Sequence, residues 1–275
     1  VGAAAIFARY ALGGAGPLAI SALRLCIAAA LLWLLGALRP RERTTARERA
    51  LLWSAGLVLA IHFASWIWSL EYTTVAISTL LVCTSPLWTA LYDTLVRARR
   101  FPPAVPLAFC GGIAGLAMIV GFNHTPPPQP GHEWLGAALA IAGSVAFAAY
   151  LLLVREVRAA RRTQTIVTHT YTAAAVVLAL AAIAAHQPPP PIHAAAAWGG
   201  ILAMALISQL LGHTAMNAAL RWFSPSAISF STLLEPVVAA LLAVALFGEA
   251  LSALALAGGV LLLLSIGTVL WIAPD

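Results

Sequence analysis

A lone carboxylate, Glu235, stands ten residues into an apolar stretch that runs from Pro225 to Phe247. A charge held near the middle of a bilayer costs roughly 2.5–3.5 kcal/mol on insertion scales. Such a glutamate could receive a substrate ammonium group or a proton, or it could be a hydrogen-bonded acid that joins helices. Pro236 follows it and removes a backbone donor, which predicts an unpaired carbonyl at Thr232; Pro86, beside Ser85, does the same for Val82. Two helices loosened at matching depths offer hinges or carbonyl ligands, or simple kinks that shape packing. His62, Trp66 and Ser69 recur at i, i+4, i+7 and so share one helix face. An aromatic wall with one imidazole suits a small amphipathic molecule, and Ser85 with Trp88, three residues apart, could face it. Gln209, His213 and Met216 repeat the same spacing, as cavity residues or as bonds between helices. The candidate substrate-binding or cavity-lining set is therefore His62, Trp66, Ser85, Trp88, Gln209, His213, Thr232 and Glu235, with Pro86 and Pro236 as hinges.

Other polar residues carry two readings each. Arg24 and Arg9 could snorkel outward, while Arg24 could instead bind a carboxylate or a structural ion pair. Asp93 precedes Arg97 by four residues, so a pair at one helix end is expected. Tyr150 and Tyr171 could gate a path or sit in an aromatic belt. Trp53, Trp134, Trp198 and Trp271 are expected as interfacial anchors. No P-loop, HExxH or GxSxG motif occurs, the seven His are scattered, and Cys26, Cys83 and Cys110 form no CxxC pair. No catalytic, cofactor or metal site is expected, and the chain is not expected to be an enzyme. The rival of that class is an intramembrane enzyme using His62 or His213 with Glu235.

The elements that must position these side chains follow from composition. The 275 residues are 62% hydrophobic and only 9% charged, too few charges to clothe a soluble domain. A secreted domain, a soluble enzyme and a disordered chain are excluded; the expected partner of this surface is the lipid bilayer. The net charge of +6 does not predict a nucleic-acid partner, because the arginines lie in short clusters between apolar runs. A membrane helix needs about 20 apolar residues. The runs Val1–Gly14 (incomplete), Pro17–Leu38, Leu51–Leu70, Val75–Val96 and Val105–Phe122 predict one set of five spans. Trp134–Val154, Thr165–Ala185, Ala194–Leu220, Pro225–Phe247 and Leu251–Ile272 predict a second. Alternate connections carry the arginines (39–49, 97–100, 155–162 and Arg221), whereas the others hold only Glu71, Glu133 and Glu249. The positive-inside rule then puts both termini in the cytoplasm, in a multi-pass protein expected in a bacterial inner membrane.

At a spacing of 150 residues Leu70-Glu71-Tyr72 falls opposite Leu220-Arg221-Trp222, and Ser85-Pro86 opposite Glu235-Pro236; Gly111-Gly112 aligns with Gly258-Gly259 in a second register. Five spans per half, an odd number, would insert the second half upside down. The fold class expected is an all-α membrane protein of ten transmembrane helices, two inverted five-helix repeats (1–123 and 132–275) around a central cavity.

The run Arg221-Trp222-Phe223-Ser224-Pro225, then Leu234-Glu235-Pro236-Val237, Phe247-Gly248-Glu249 and Gly258-Gly259, resembles the second repeat of the EamA-type drug/metabolite transporters. Ala22-Leu23-Arg24-Leu25 and Ser85-Pro86-Leu87 resemble that family's second- and fourth-helix patterns. The first half departs from it at Arg97–Arg100 and Pro102, where the family often has Gly-Glu. The resemblance implies a basket of ten helices that exports a small-molecule substrate from the cytoplasm by alternating access, without a cofactor. Within the family it is most similar to exporters of aromatic amino acids and related metabolites. Drug, nucleoside or polyamine export is the alternative, and the chain is expected to act as a monomer.

Overall fold

The computed structural model describes residues 1–37, 42–98, 100–120, 128–235, 237–238 and 253–272. Among them every regular element is helical: α1 (Ala4–Leu12), α2 (Pro17–Ala37), α3 (Ala46–Ser69), α4 (Val75–Val82), α5 (Ser85–Leu95), α6 (Ala104–Val120), α7 (Glu133–Arg158) and α8 (Thr163–Ala184). Then come α9 (Ala195–Ala203), a π-helical segment (Met204–His213), α10 (Thr214–Ala219), α11 (Pro225–Ser231) and α12 (Ala253–Ile272). Among the described residues five helices are long and apolar enough to cross a membrane: Pro17–Gly36, Ala46–Ser69, Glu133–Arg158, Thr163–Ala184 and the continuous rod Ala195–Ala219. Shorter apolar stretches occupy Ala104–Gly115 and Leu256–Thr268. Most of the predicted span Pro225–Phe247, with Pro236 and the Phe247-Gly248-Glu249 motif, lies outside the described residues.

The starts of these helices are written in local chemistry. Thr45 accepts from the Glu48 N–H while the Glu48 carboxylate accepts from the Thr45 N–H, a reciprocal cap on α3. Thr74 and Ser224 cap α4 and α11 in the same way as each other, each accepting from the N–H three residues on. Both caps follow a turn of matching form, Leu70–Tyr72 and Leu220–Trp222.

The fourth predicted span is not one rod. It breaks at Cys83-Thr84, and Pro86 lies in the first turn of the new helix, where its missing N–H is harmless. A matching break occurs at Thr232-Leu233, followed by helical residues 234 and 235. The two breaks touch, the Cys83 thiol donating to the Thr232 carbonyl at 3.5 Å. That carbonyl is not unpaired as the sequence predicts. The chain tightens into i→i+3 bonds there, and the Glu235 N–H reaches it at 2.9 Å.

The principal helix contacts join the first half of the chain to the second: α3 with α7 and α8, α2 with α8, α1 with α9, α6 with α12. Small residues allow the closest of these. A Cβ on Gly115 would lie 2.6 Å from the Gly258 carbonyl, and one on Gly56 would lie 2.6 Å from the Thr170 carbonyl. The outer surface is apolar, with Leu107, Ile183, Leu211, Leu264 and Trp271 all exposed, as lipid requires. The anchors Trp53 and Trp134 are exposed as well.

The arginine-rich end is held differently. Among the described residues four ion pairs join the halves there: Glu48 with Arg161 at 2.8 Å, Asp93 with Arg155 at 3.6 Å, and Arg97 with Glu156 and Glu42 with Arg162 at 3.8 Å. The expected Asp93–Arg97 pair is therefore replaced. Asp93 is buried against α7 and also accepts from Ser226 at 3.2 Å, while Arg97 leaves the helix end for Glu156.

Candidate functional site

The broken helices α4–α5 and α11 meet α2, α3, α7 and the π-helical segment around a central void of about 30 Å³. Its lining includes Arg24, His62, Phe63, Trp66, Ser85, Phe147, His213, Thr232 and Glu235. Six of the eight candidate substrate residues are thus brought to one place. Of the other two, Gln209 is one bond away, accepting from Arg24, and Trp88 turns aside, its Nε1–H donating to the Ser144 hydroxyl at 3.1 Å. The predicted wall of Ser85 and Trp88 is half realised: Ser85 lines the void, and the indole is drawn off it by α7. Pro86 packs behind Ser85; Pro236 lies outside the described residues.

Arg24 does not snorkel. It is fully buried, with Nη2 donating to Gln209 Oε1 at 2.7 Å and its guanidinium carbon 3.9 Å from the centroid of the Phe63 ring. The ring face offsets part of the lost hydration, as a cation–π contact does. Yet among the described residues its Nε and Nη1 have no hydrogen-bond partner, and neither have Trp66 Nε1, Ser85 Oγ, Gln209 Nε2 or His213 Nδ1. Native interiors leave few polar groups unpaired, and each such group costs about 1–3 kcal/mol. Arg24, Trp66, Ser85 and His213 of this set line the same void.

The aromatic part is ordered by neighbours. His62 Nδ1–H donates to the Gly143 carbonyl at 2.8 Å, which fixes the ring and leaves Nε2 as the acceptor of the neutral imidazole. The His62 ring lies nearly parallel to Trp66 (6.4 Å between centroids, 7° between planes) and 5.0 Å from Phe147. His213 stands edge-on to Phe63 and Phe147, at 5.1 and 5.7 Å. Among the described side chains that line the void, Arg24 is the cation, Glu235 the acid, and Phe63, Trp66 and Phe147 the aromatic part.

Three features here escape a reading of the sequence. Phe63 and Phe147 are indistinguishable from core residues by spacing; only the small polar pair Gly143-Ser144 marks that turn of α7 as unusual. The π-helix carries no composition signal; its wide turn is visible where the Thr214 N–H reaches the Gln209 carbonyl, five residues back. The two tyrosines are neither gate nor belt. Tyr150 donates to Asn217 Oδ1 at 2.8 Å and Tyr171 meets Thr214 Oγ1 at 3.3 Å, both fully buried, so they fasten α7 and α8 to the rod that carries Gln209 and His213.

A family model described as the EamA-like transporter family matches residues 1–121 and 134–271. No curated protein matches the chain. A crystal structure described only as that of a protein is similar in fold, with a TM-score of 0.75 at 19% identity over 99% of this chain and 96% of the other.

Proposed function

Given that the chain belongs to the EamA-like transporter family, we propose that it exports neutral amino acids, aromatic ones among them, by alternating access through the central void. The observation that carries this reading is the unpaired donor set around Arg24, in the same void as Glu235. A zwitterion has what each pole lacks. Its carboxylate can accept from Arg24 and the Trp66 and Ser85 donors in charge-assisted bonds, and its ammonium can donate to Glu235. His62, Trp66 and Phe147 then flank the side chain. The resemblance read from the sequence, to the family's exporters of aromatic amino acids, is the second ground for this reading.

In this reading the halves 1–123 and 132–275 are inverted repeats, ten spans in all, with both termini and the arginine clusters in the cytoplasm of a bacterial cell and the protein in its inner membrane. A void of about 30 Å³ admits a water or two and no amino acid. Substrate therefore enters only when the halves part, which in this reading happens about the touching breaks at Cys83 and Thr232. The test is counterflow of labelled phenylalanine in proteoliposomes. Saturable flux, competed by neutral amino acids and not by the amine or the acid lacking one pole, is expected. Equal competition by phenethylamine would overturn the zwitterion assignment and favour a cation exporter.

A further inference from the structure

The larger cavity lies away from the central void. It measures about 460 Å³ and opens between α2, the connection that leads into α3, and the start of α8. Leu32 and Trp33 give it an apolar wall, while Arg43, Arg49 and Arg162 supply three guanidinium groups against one carboxylate, Glu42. That carboxylate is already engaged. It accepts from the Thr165 hydroxyl at 2.7 Å and the Arg162 N–H at 3.1 Å, with the Arg162 side chain 3.8 Å away. Partial burial pushes the Glu42 carboxyl up, yet these bonds and the Arg162 and Arg161 charges hold it below the usual carboxylate range. Two positive charges remain in excess. Arg49 spends one N–H on the Thr44 carbonyl, and Arg43 has no polar partner among the described residues.

The wall decides what kind of anion fits. Trp33 has its Nε1–H bonded to the Thr172 hydroxyl at 2.9 Å, and the next residues of α2, Leu34 and Leu35, are exposed on the membrane-facing surface. The cavity thus joins an apolar wall on α2 to a cationic rim formed by the connection into α3 and the start of α8. We propose that it binds the phosphodiester headgroup of an anionic phospholipid, with an acyl chain running down the α2 surface past Trp33. A basic pocket between spans at the headgroup level is where such lipids are held, and the leaflet they come from, the cytoplasmic one, rests on the orientation proposed above.

The experiment is native mass spectrometry of the full chain released from detergent, with phosphatidylglycerol, phosphatidylcholine or inorganic phosphate added. One phosphatidylglycerol retained in about tenfold preference to phosphatidylcholine is expected, and Arg43→Gln with Arg162→Gln should cut that preference at least about threefold. Should the double variant fold poorly, Arg43→Gln alone, which breaks no contact among the described residues, carries the test with a smaller drop. Equal retention of both lipids, or a preference unchanged in the variants, overturns the proposal. Displacement of the lipid by inorganic phosphate at equal concentration also overturns it, since the pocket would then serve a soluble anion.

Discussion

Two cavities among the described residues, the central void and the one rimmed by Arg43, Arg49 and Arg162, are opposites. The central one is about 30 Å³, buried, and ringed by donors without partners, whereas the peripheral one is about 460 Å³, rimmed by exposed arginines, and its single carboxylate is fully engaged. On the proposed function, volume is a poor guide to where selectivity lies. An unpaired N–H buried at full desolvation cost has more to gain from a ligand than an exposed guanidinium that water already serves. The small void is where a ligand would be discriminated by its polar atoms, and the large one is where charge and greasiness would suffice.

The comparison breaks most sharply at Arg24. Arg24→Gln removes the cationic pole, and phenylalanine flux in proteoliposomes should fall about 100-fold, with little recovery in Arg24→Lys, which lacks the planar fork. Flux within twofold of the parent would show that the void is packing and nothing more. Glu235→Gln keeps size and removes charge; a fall of about tenfold for zwitterions is expected in the same assay. Trp66→Phe deletes one donor while keeping a ring. Apparent affinity should drop about fivefold, and the substrate-free protein should unfold no earlier on a thermal ramp, because an unsatisfied group has been removed. Tyr150→Phe supplies the contrast: its hydroxyl is satisfied by Asn217, so stability should fall by about 1 kcal/mol in denaturant titration with affinity unchanged. If Trp66→Phe and Tyr150→Phe behave alike, the distinction between waiting and satisfied donors fails.

Much of the architecture is legible in the residues. Apolar runs bounded by prolines and arginine clusters give the helices within a few residues, and the paired turns at Leu70 and Leu220 announce the capped starts of α4 and α11. The gathering of His62, Ser85, His213, Thr232 and Glu235 follows from polar residues having nowhere else to go in a lipid-facing bundle. What stays hidden depends on partners remote in the chain. For Arg24 the residues leave snorkelling and a carboxylate or ion-pair role open until Phe63 and Gln209 are seen around it, and Trp88 reads as a wall until Ser144 takes its N–H. Asp93 finds Arg155 because α5 packs on α7, which a spacing of four residues to Arg97 cannot reveal. The prolines announce breaks, as hinges, carbonyl ligands or kinks, but not the contact of Cys83 with Thr232, which needs the two halves superposed in depth.

The wide turn at Met204–His213 has an evolutionary consequence. A π-helical stretch stores more residues per turn than an α-helix, so losing one residue there could be absorbed by rewinding without severing the rod. The portion upstream would then keep its orientation relative to Gln209 and His213, where the same loss from a regular α-helix would rotate it by about 100°. Among descendants of this chain, a single-codon deletion in that window would leave the face of α9 that meets α1 in place.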